Sequence, residues 1–311
     1  MKLFCYTNIS DIKKYTGGHA GPPLRIGIKM TLIVGVNLCV RLFNLGDDTM
    51  PYINIDNKNI HYKQYGDGEA IVFLNGMLMS TNSWSPFIRT VSKDYNMITV
   101  DLLDQGRSDS PDGEYTLDTQ VNILKKFLDE LGLDKVNLLG MSYGGKVALN
   151  FTCKYPDMIK SLILTNTDSH TTDHMKRVAK HWKEVASTLD AFKFLNCTIP
   201  YMYSYDYYKR NYEDMEKKAK IFSRNMNEEW YEKFRRGLDS ASSYNVKDKL
   251  KTIKVPTLII SSELDVITPI EYQELMHREI ENSKWKILKN VGHASMFEEP
   301  EEFISTVMEF L

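Results

Sequence analysis

The chain has 311 residues, 42% of them hydrophobic and 26% charged, the make-up of a globular protein with enough chain for one large domain or two modest ones. Those proportions exclude a disordered, collagen-like or multi-span membrane protein. With 39 basic against 41 acidic residues the formal charge is -2, so there is no electrostatic footprint for nucleic acid or an anionic membrane surface. The four cysteines, Cys5, Cys39, Cys153 and Cys197, are too scattered for a disulfide framework and form no CxxC metal pair, which fits a reducing, cytoplasmic setting.

Residues 1–49 combine a Gly/Pro stretch with an apolar run over residues 30–40 that Arg41 stops. That run is 11 residues long. A membrane span needs roughly 20 apolar residues, and Asp47 and Asp48 stand where a signal peptide would carry a small-residue cleavage site. The segment reads as a loosely packed extension or a start-codon artefact, with no stable membrane insertion expected. From Met50 the sequence MPYINIDNKNIHYKQYGDG holds two short alternating strands around a turn at Asn57, closed by Gly66 and Gly68.

Apolar runs then recur at residues 70–75, 96–101, 135–140, 161–166, 257–262 and 284–288, with helical-period segments such as 117–131 and 144–154 between them. Runs such as IVFL, VNLLG, LILT and TLII lack polar alternation. Both faces of the sheet are therefore covered, which predicts an α/β fold with a mostly parallel central sheet flanked by helices. Between about residues 169 and 246 the sequence is polar, aromatic and helical without strand signals. That predicts a helical cap inserted over the strand ends, where ligands of such sheets bind.

Gly140-Met141-Ser142-Tyr143-Gly144 follows the strand KVNLL and precedes a helix. In that setting GxSxG describes a nucleophile elbow, a tight strand-to-helix turn that exposes the serine and aims the next backbone N–H and the helix N-terminus at its reaction centre. A serine hydroxyl needs a base and an acid to orient that base. Of seven histidines, His293 stands in a loop between a strand-like run and a final amphipathic helix. Asp265 lies just past the TLII strand, giving the chain order Ser, Asp, His, each after a strand. Asp168, after the LILT strand, is the rival acid, and Glu263 reads as a structural hydrogen-bond partner.

These motifs resemble the α/β-hydrolase superfamily, specifically its capped esterase-like serine hydrolases, over about residues 50–311. The resemblance extends to Phe73-Leu74-Asn75-Gly76-Met77, similar to the loop that carries the second oxyanion donor, with Asn75 where the family usually has histidine. It implies backbone N–H donors at Met77 and Tyr143, and leaves open how the loop is braced. Asp101-Leu102-Leu103-Asp104-Gln105-Gly106-Arg107-Ser108 is similar to the family's next loop, Asp104 replacing a glycine, with a packing role beside the elbow. The implied chemistry is cleavage of a carboxylic ester, thioester or lactone through an acyl-enzyme on Ser142, without cofactor or metal, on a small acyl substrate with an apolar portion. C–C bond hydrolysis, acyl transfer or non-catalytic ligand binding on the same fold are the alternatives.

Other patterns compete. Gly140-x-x-x-x-Gly145-Lys146 matches a phosphate loop until Val147 stands where Ser or Thr must hold magnesium. His170, His174 and His181, at spacings 4 and 7, read as one polar helix face rather than a zinc site. Tyrosines 201, 203, 205, 207, 208 and 212 read as packing, with an aromatic lid as the functional alternative. Lys217, Lys218 and Lys220 read as a solvated face.

Overall fold

The computed structural model describes residues 51–311, so the reading of residues 1–49 as an extension lies outside the described residues. The described chain enters as a hairpin of β1 (Tyr52–Ile55) and β2 (Lys58–Tyr65). Its turn holds Asp56 and Asn57 at φ 51° and 63°, the left-handed region that Asp and Asn tolerate best among non-glycine residues. β3 (Glu69–Leu74), the short α1 (Ile88–Val91), β4 (Tyr95–Val100), α2 (Leu117–Glu130), β5 (Val136–Met141), α3 (Tyr143–Lys154) and β6 (Ile159–Thr165) follow. Five helices then run without a strand: α4 (Asp173–Ala186), α5 (Ala191–Met202), α6 (Tyr205–Arg210), α7 (Tyr212–Phe222) and α8 (Glu228–Ser240). β7 (Thr257–Ser262), α9 (Ile270–Glu279), β8 (Ser283–Leu288), α10 (Ser295–Glu298) and α11 (Pro300–Phe310) close the chain.

The strands form one eight-stranded sheet in the order β1-β2-β4-β3-β5-β6-β7-β8. β2 is antiparallel to β1 and β4, and every pairing from β4 to β8 is parallel. Side chains alternate across a strand, and here both alternations are buried. Val72 and Leu74 pack with Val121, Leu124 and Phe127 of α2 on one face. Ile71 and Phe73 pack with Trp84, Phe87 and Phe303 on the other. This is why the strand runs are apolar without a polar period.

The helical insertion has its own punctuation and its own core. Thr172, Asp190, Ser204 and Asn227 precede α4, α5, α6 and α8 and accept from the amides of Met175, Lys193, Tyr207 and Trp230, satisfying N–H groups that a helix start leaves open. Trp182, Phe194, Tyr231 and Phe234 are buried together, with the Phe194 and Phe234 rings edge to face at 4.9 Å. Among the described residues no helix is long and apolar enough to cross a membrane. Parallel pairing brings the C-terminal ends of β3, β5, β6, β7 and β8 to one edge of the sheet, and the insertion leaves and rejoins the sheet between β6 and β7.

Candidate active site

β5 is buried along its whole length and ends at Met141. The next residue, Ser142, takes φ 51° and ψ -113°, a conformation costly for any side chain that bears a Cβ, and α3 starts at once with Tyr143. Two glycines permit the turn: a Cβ on Gly140 would run into the Gly144 carbonyl, and one on Gly144 into the Leu74 carbonyl of β3. The strained backbone is pinned by Ser142 N donating to Thr165 O at 2.9 Å and by Ser142 O accepting from Lys146 N at 3.1 Å and Thr167 Oγ1 at 2.7 Å. Tyr143 opens α3, so its amide has no carbonyl one turn back within the helix. Its phenol meets Ser240 Oγ of α8 at 2.8 Å, tying the elbow to the insertion.

The structure brings together the three side chains that the sequence places 151 and 28 residues apart. His293 Nε2 lies 3.0 Å from Ser142 Oγ, and His293 Nδ1 lies 2.8 Å from Asp265 Oδ2. Both His293 and Asp265 are buried. Burial opposes charge on Asp265, but attraction to His293 and its hydrogen bond, with donations from Thr268 and Asn166, hold the carboxyl below the usual carboxylate range. Asp265 Oδ1 accepts from the amides of Ile267 and Thr268 at 2.8 and 2.9 Å, and Oδ2 from Thr268 Oγ1 at 2.7 Å. Glu263 takes the structural place expected of it, accepting from Asn290 N at 3.0 Å ahead of the histidine loop.

The rival acid is elsewhere. Asp168 is fully buried, and Lys146 Nζ donates to both its carboxylate oxygens at 2.6 Å, so Asp168 does not take the place of Asp265 beside the imidazole. Opposite charge was the stronger attraction, and Lys146 reaches Asp168 from one turn along α3 beyond Ser142.

The bracing of the loop after β3 rests on Asn75. Its carboxamide donates to Val100 O at 3.0 Å and Asp101 Oδ1 at 2.9 Å, and accepts from Trp84 Nε1 at 2.8 Å. An amide group is both donor and acceptor, so it links β4 to the turns after β3 where a ring would. Asp101 Oδ1 also accepts from Thr81 N at 2.7 Å, and Asp101 Oδ2 meets His61 Nδ1 at 2.8 Å. Met77 follows on this loop, and Leu78 stands at φ 65°, an outlier for a bulky side chain. Asp104 occupies φ 63°, as a glycine would, but does more than pack: its carboxylate takes Arg236 of α8 at 2.7 and 3.0 Å.

Ser142, Met77, Tyr143 and His293 line a cavity of about 560 Å³ whose far wall comes from the inserted helices. Six methionines, Met77, Met79, Met141, Met175, Met202 and Met215, line it, and such unbranched thioethers adapt to the shape of a ligand. Of the six crowded tyrosines only Tyr203 is in the lining, while Tyr201, Tyr205 and Tyr212 are exposed, so the aromatic lid reduces to one ring stacked on Tyr207. Lys218 also lines the cavity, so one lysine of the run read as a solvated face borders the site as well as solvent. His170 precedes α4 and bridges to Asn245, so the three histidines do not share one helix face. Among the described residues no group of three or more His, Cys, Asp or Glu is placed to hold a metal ion.

Sequence reading missed two supports. Asn166, at φ 47°, donates to Asp265 Oδ2 at 2.9 Å and accepts from Ser295 Oγ at 2.8 Å, joining the acid to the histidine loop. Glu298 accepts from Gly292 N at 3.0 Å and from Ser204 N at 2.8 Å, and burial pushes its carboxyl up. Its partner is Ser204, the residue that caps α6, 94 residues away.

A model of the α/β hydrolase fold matches residues 69–300. A proline iminopeptidase of Lactobacillus acidophilus is 29% identical over 286 residues, covering 84% of this chain and 96% of that protein. The crystal structure of an α/β hydrolase enzyme from a Medee basin deep-sea metagenome library superposes with a TM-score of 0.82 at 35% identity, covering 84% of this chain and 96% of that one. An enol-lactonase from Burkholderia xenovorans shares the fold at a TM-score of 0.76 and 22% identity, covering 84% of this chain and 99% of that one. Together with the sheet order and the strained serine turn, these likenesses make the chain a member of the α/β-hydrolase fold family.

Proposed function

We propose that this hydrolase-family chain is a serine hydrolase that cleaves a carboxylic ester, thioester or lactone through an acyl-enzyme on Ser142. The observation that carries the reading is the His293 imidazole, 3.0 Å from Ser142 Oγ and 2.8 Å from Asp265 Oδ2. Ser142 Oγ attacks the carbonyl carbon as His293 Nε2 takes the hydroxyl proton, while Asp265 accepts from Nδ1–H and holds that tautomer. The amides of Met77 and Tyr143 donate to the oxyanion. Collapse of the tetrahedral intermediate breaks the bond to the leaving group, which takes the proton from His293. Water then attacks the acyl carbon, His293 takes its proton, and Ser142 leaves with it.

Residues 169–246 act as the cap of a catalytic domain spanning residues 50–311, and their apolar wall receives the acyl group. An imino-terminal peptide is cationic at neutral pH and needs a carboxylate near the scissile bond. The lining offers only Asp239, which Lys183 holds at 2.5 Å. This wall therefore disfavours a substrate with the cationic imino terminus that the name of the Lactobacillus relative implies. The scattered cysteines of the sequence support a reducing, cytoplasmic setting.

The test is hydrolysis of a nitrophenyl ester series, from acetate to long acyl chains, by the full chain and its Ser142→Ala and Asp265→Asn variants. Turnover lost by orders of magnitude in both variants supports the reading. An intact protein that is inert towards every ester and unlabelled by a fluorophosphonate sinks it and favours ligand binding. Hydrolysis of a 1,3-diketone to a carboxylic acid and a ketone, without ester turnover, favours C–C cleavage.

A further inference from the structure

The cavity wall combines apolar side chains with a group of lysines. Lys176, Lys180 and Lys183 line it from α4, and Lys218 from α7. The first three stand at i, i+4 and i+7, one stripe of a helix, and neighbouring α4 residues Met175, Val178 and Trp182 supply apolar wall. Side-chain exposures of 54%, 77%, 35% and 26% for Lys176, Lys180, Lys183 and Lys218 put the ammonium groups at the opening. Their stems cover the wall and their heads reach water.

Asp239 is the one carboxylate among the lining residues, and Lys183 holds it at 2.5 Å. Asp173, Glu184 and Asp214 meet Lys176, Lys180 and Lys218 at 3.4, 3.9 and 3.4 Å from outside it. Exposed pairs at such distances hold weakly, so an incoming anion displaces them readily. Deeper in the wall Lys146 is neutralised by Asp168. Each lysine of the fringe thus has a carboxylate beside it, held closely only at Lys183–Asp239 (2.5 Å), and the other three ammonium groups are open to exchange an exposed partner for a ligand's carboxylate. No arginine stands among the lining residues, so the planar fork that suits a phosphate is missing and point-charge ammonium groups remain.

We propose that the substrate is an acyl compound that ends in a carboxylate, with its scissile carbonyl at Ser142 and its carboxylate on the lysine fringe of α4 and α7. The scissile end rests on the serine-hydrolase reading, and the anionic end on the cavity wall.

Binding to the full-length Ser142→Ala variant, where no turnover occurs, separates the two. Monomethyl suberate and dimethyl suberate share one chain and differ by one carboxylate. Calorimetric titration is expected to give about ten-fold tighter binding of the monomethyl ester at low salt, with the advantage fading by about 0.5 M salt. In Lys176→Gln, Lys180→Gln, Lys183→Gln combined, the ratio of the two dissociation constants falls to about one, and the matching lysine-to-arginine triple restores it. Equal binding of the two esters, or a ratio that survives the glutamine triple, overturns the proposal. Hydrolysis of dimethyl suberate by the unmodified chain reports separately on the chemistry at Ser142.

Discussion

Ser142, His293 and Asp265 are held from beneath by strand ends and a buried web of hydrogen bonds, whereas the wall that faces them, from α4 to α8, is made of methionines, other apolar side chains and a fringe of lysines. On the sheet side each polar group has several partners: Asp265 alone accepts from Ile267 N, Thr268 N, Thr268 Oγ1 and Asn166. On the helical side the ties to the rest of the chain include Arg236 to Asp104, Tyr143 to Ser240 and Glu298 to Ser204. The contrast separates two demands. A reacting constellation must keep its distances, and satisfied buried polar groups do that. A substrate wall must fit a shape, and flexible apolar side chains do that. Changes on the sheet side should therefore act on turnover, and changes on the helical side on selection.

The largest effect is expected at the proposed nucleophile. Ser142→Ala should lower ester turnover by about 10⁴-fold or more with the fold intact, checked by progress curves beside a thermal melt. Next comes Asp265→Asn, expected to cost about 10³- to 10⁴-fold because an amide at this place stabilises the wrong imidazole tautomer. The same variant tests linkage. The carboxyl of Asp265 sits below its ordinary range in the fold, so it contributes stability above the unfolded value that is lost as pH falls through the folded one. Acid unfolding midpoints should therefore depend less steeply on pH, below about pH 4, in Asp265→Asn than in the unmodified chain.

Asn75→Ala tests whether the sheet side depends on its brace as well as its triad. Trp84 N–H would lose its buried acceptor and Asp101 a donor, with an expected cost of about 2 kcal/mol in chemical denaturation and about 10- to 100-fold in turnover through the Met77 amide. Asn75→His, the residue common in the family loop, should recover most of that loss. On the helical side, Met215→Phe should shorten the preferred acyl chain, changing kcat/KM for long esters by about ten-fold while acetate esters react as before. A uniform fall across the series would break the division between the two walls. The smallest effect is expected from Arg236→Gln, which leaves a buried Asp104 without its partner at one of the sparse ties. About 1 kcal/mol of stability and a few-fold rise in KM, with kcat kept, is the expected outcome.

The strands, the elbow and the break in rhythm at residues 169–246 were legible because their causes are local. A strand buried on both faces writes an unbroken apolar run, and Gly140 and Gly144 flank Ser142 because backbone carbonyls pass close by. Helix caps such as Thr172 and Asn227 act on amides three residues away. Pairings across long loops were not legible. Asn75 meets Trp84 and Val100, Asp168 meets Lys146 rather than His293, and Lys218 borders the cavity as well as solvent. His170 falls outside α4 although its spacing to His174 fits a helix. Periodicity and turn chemistry act over a few residues, so the chain alone encodes which elements form and where the serine turn lies. Which acid faces the histidine, what braces the loop after β3 and which lysines border the cavity are settled by packing, since burial makes each polar group take whichever partner the assembled sheet and helices bring within reach.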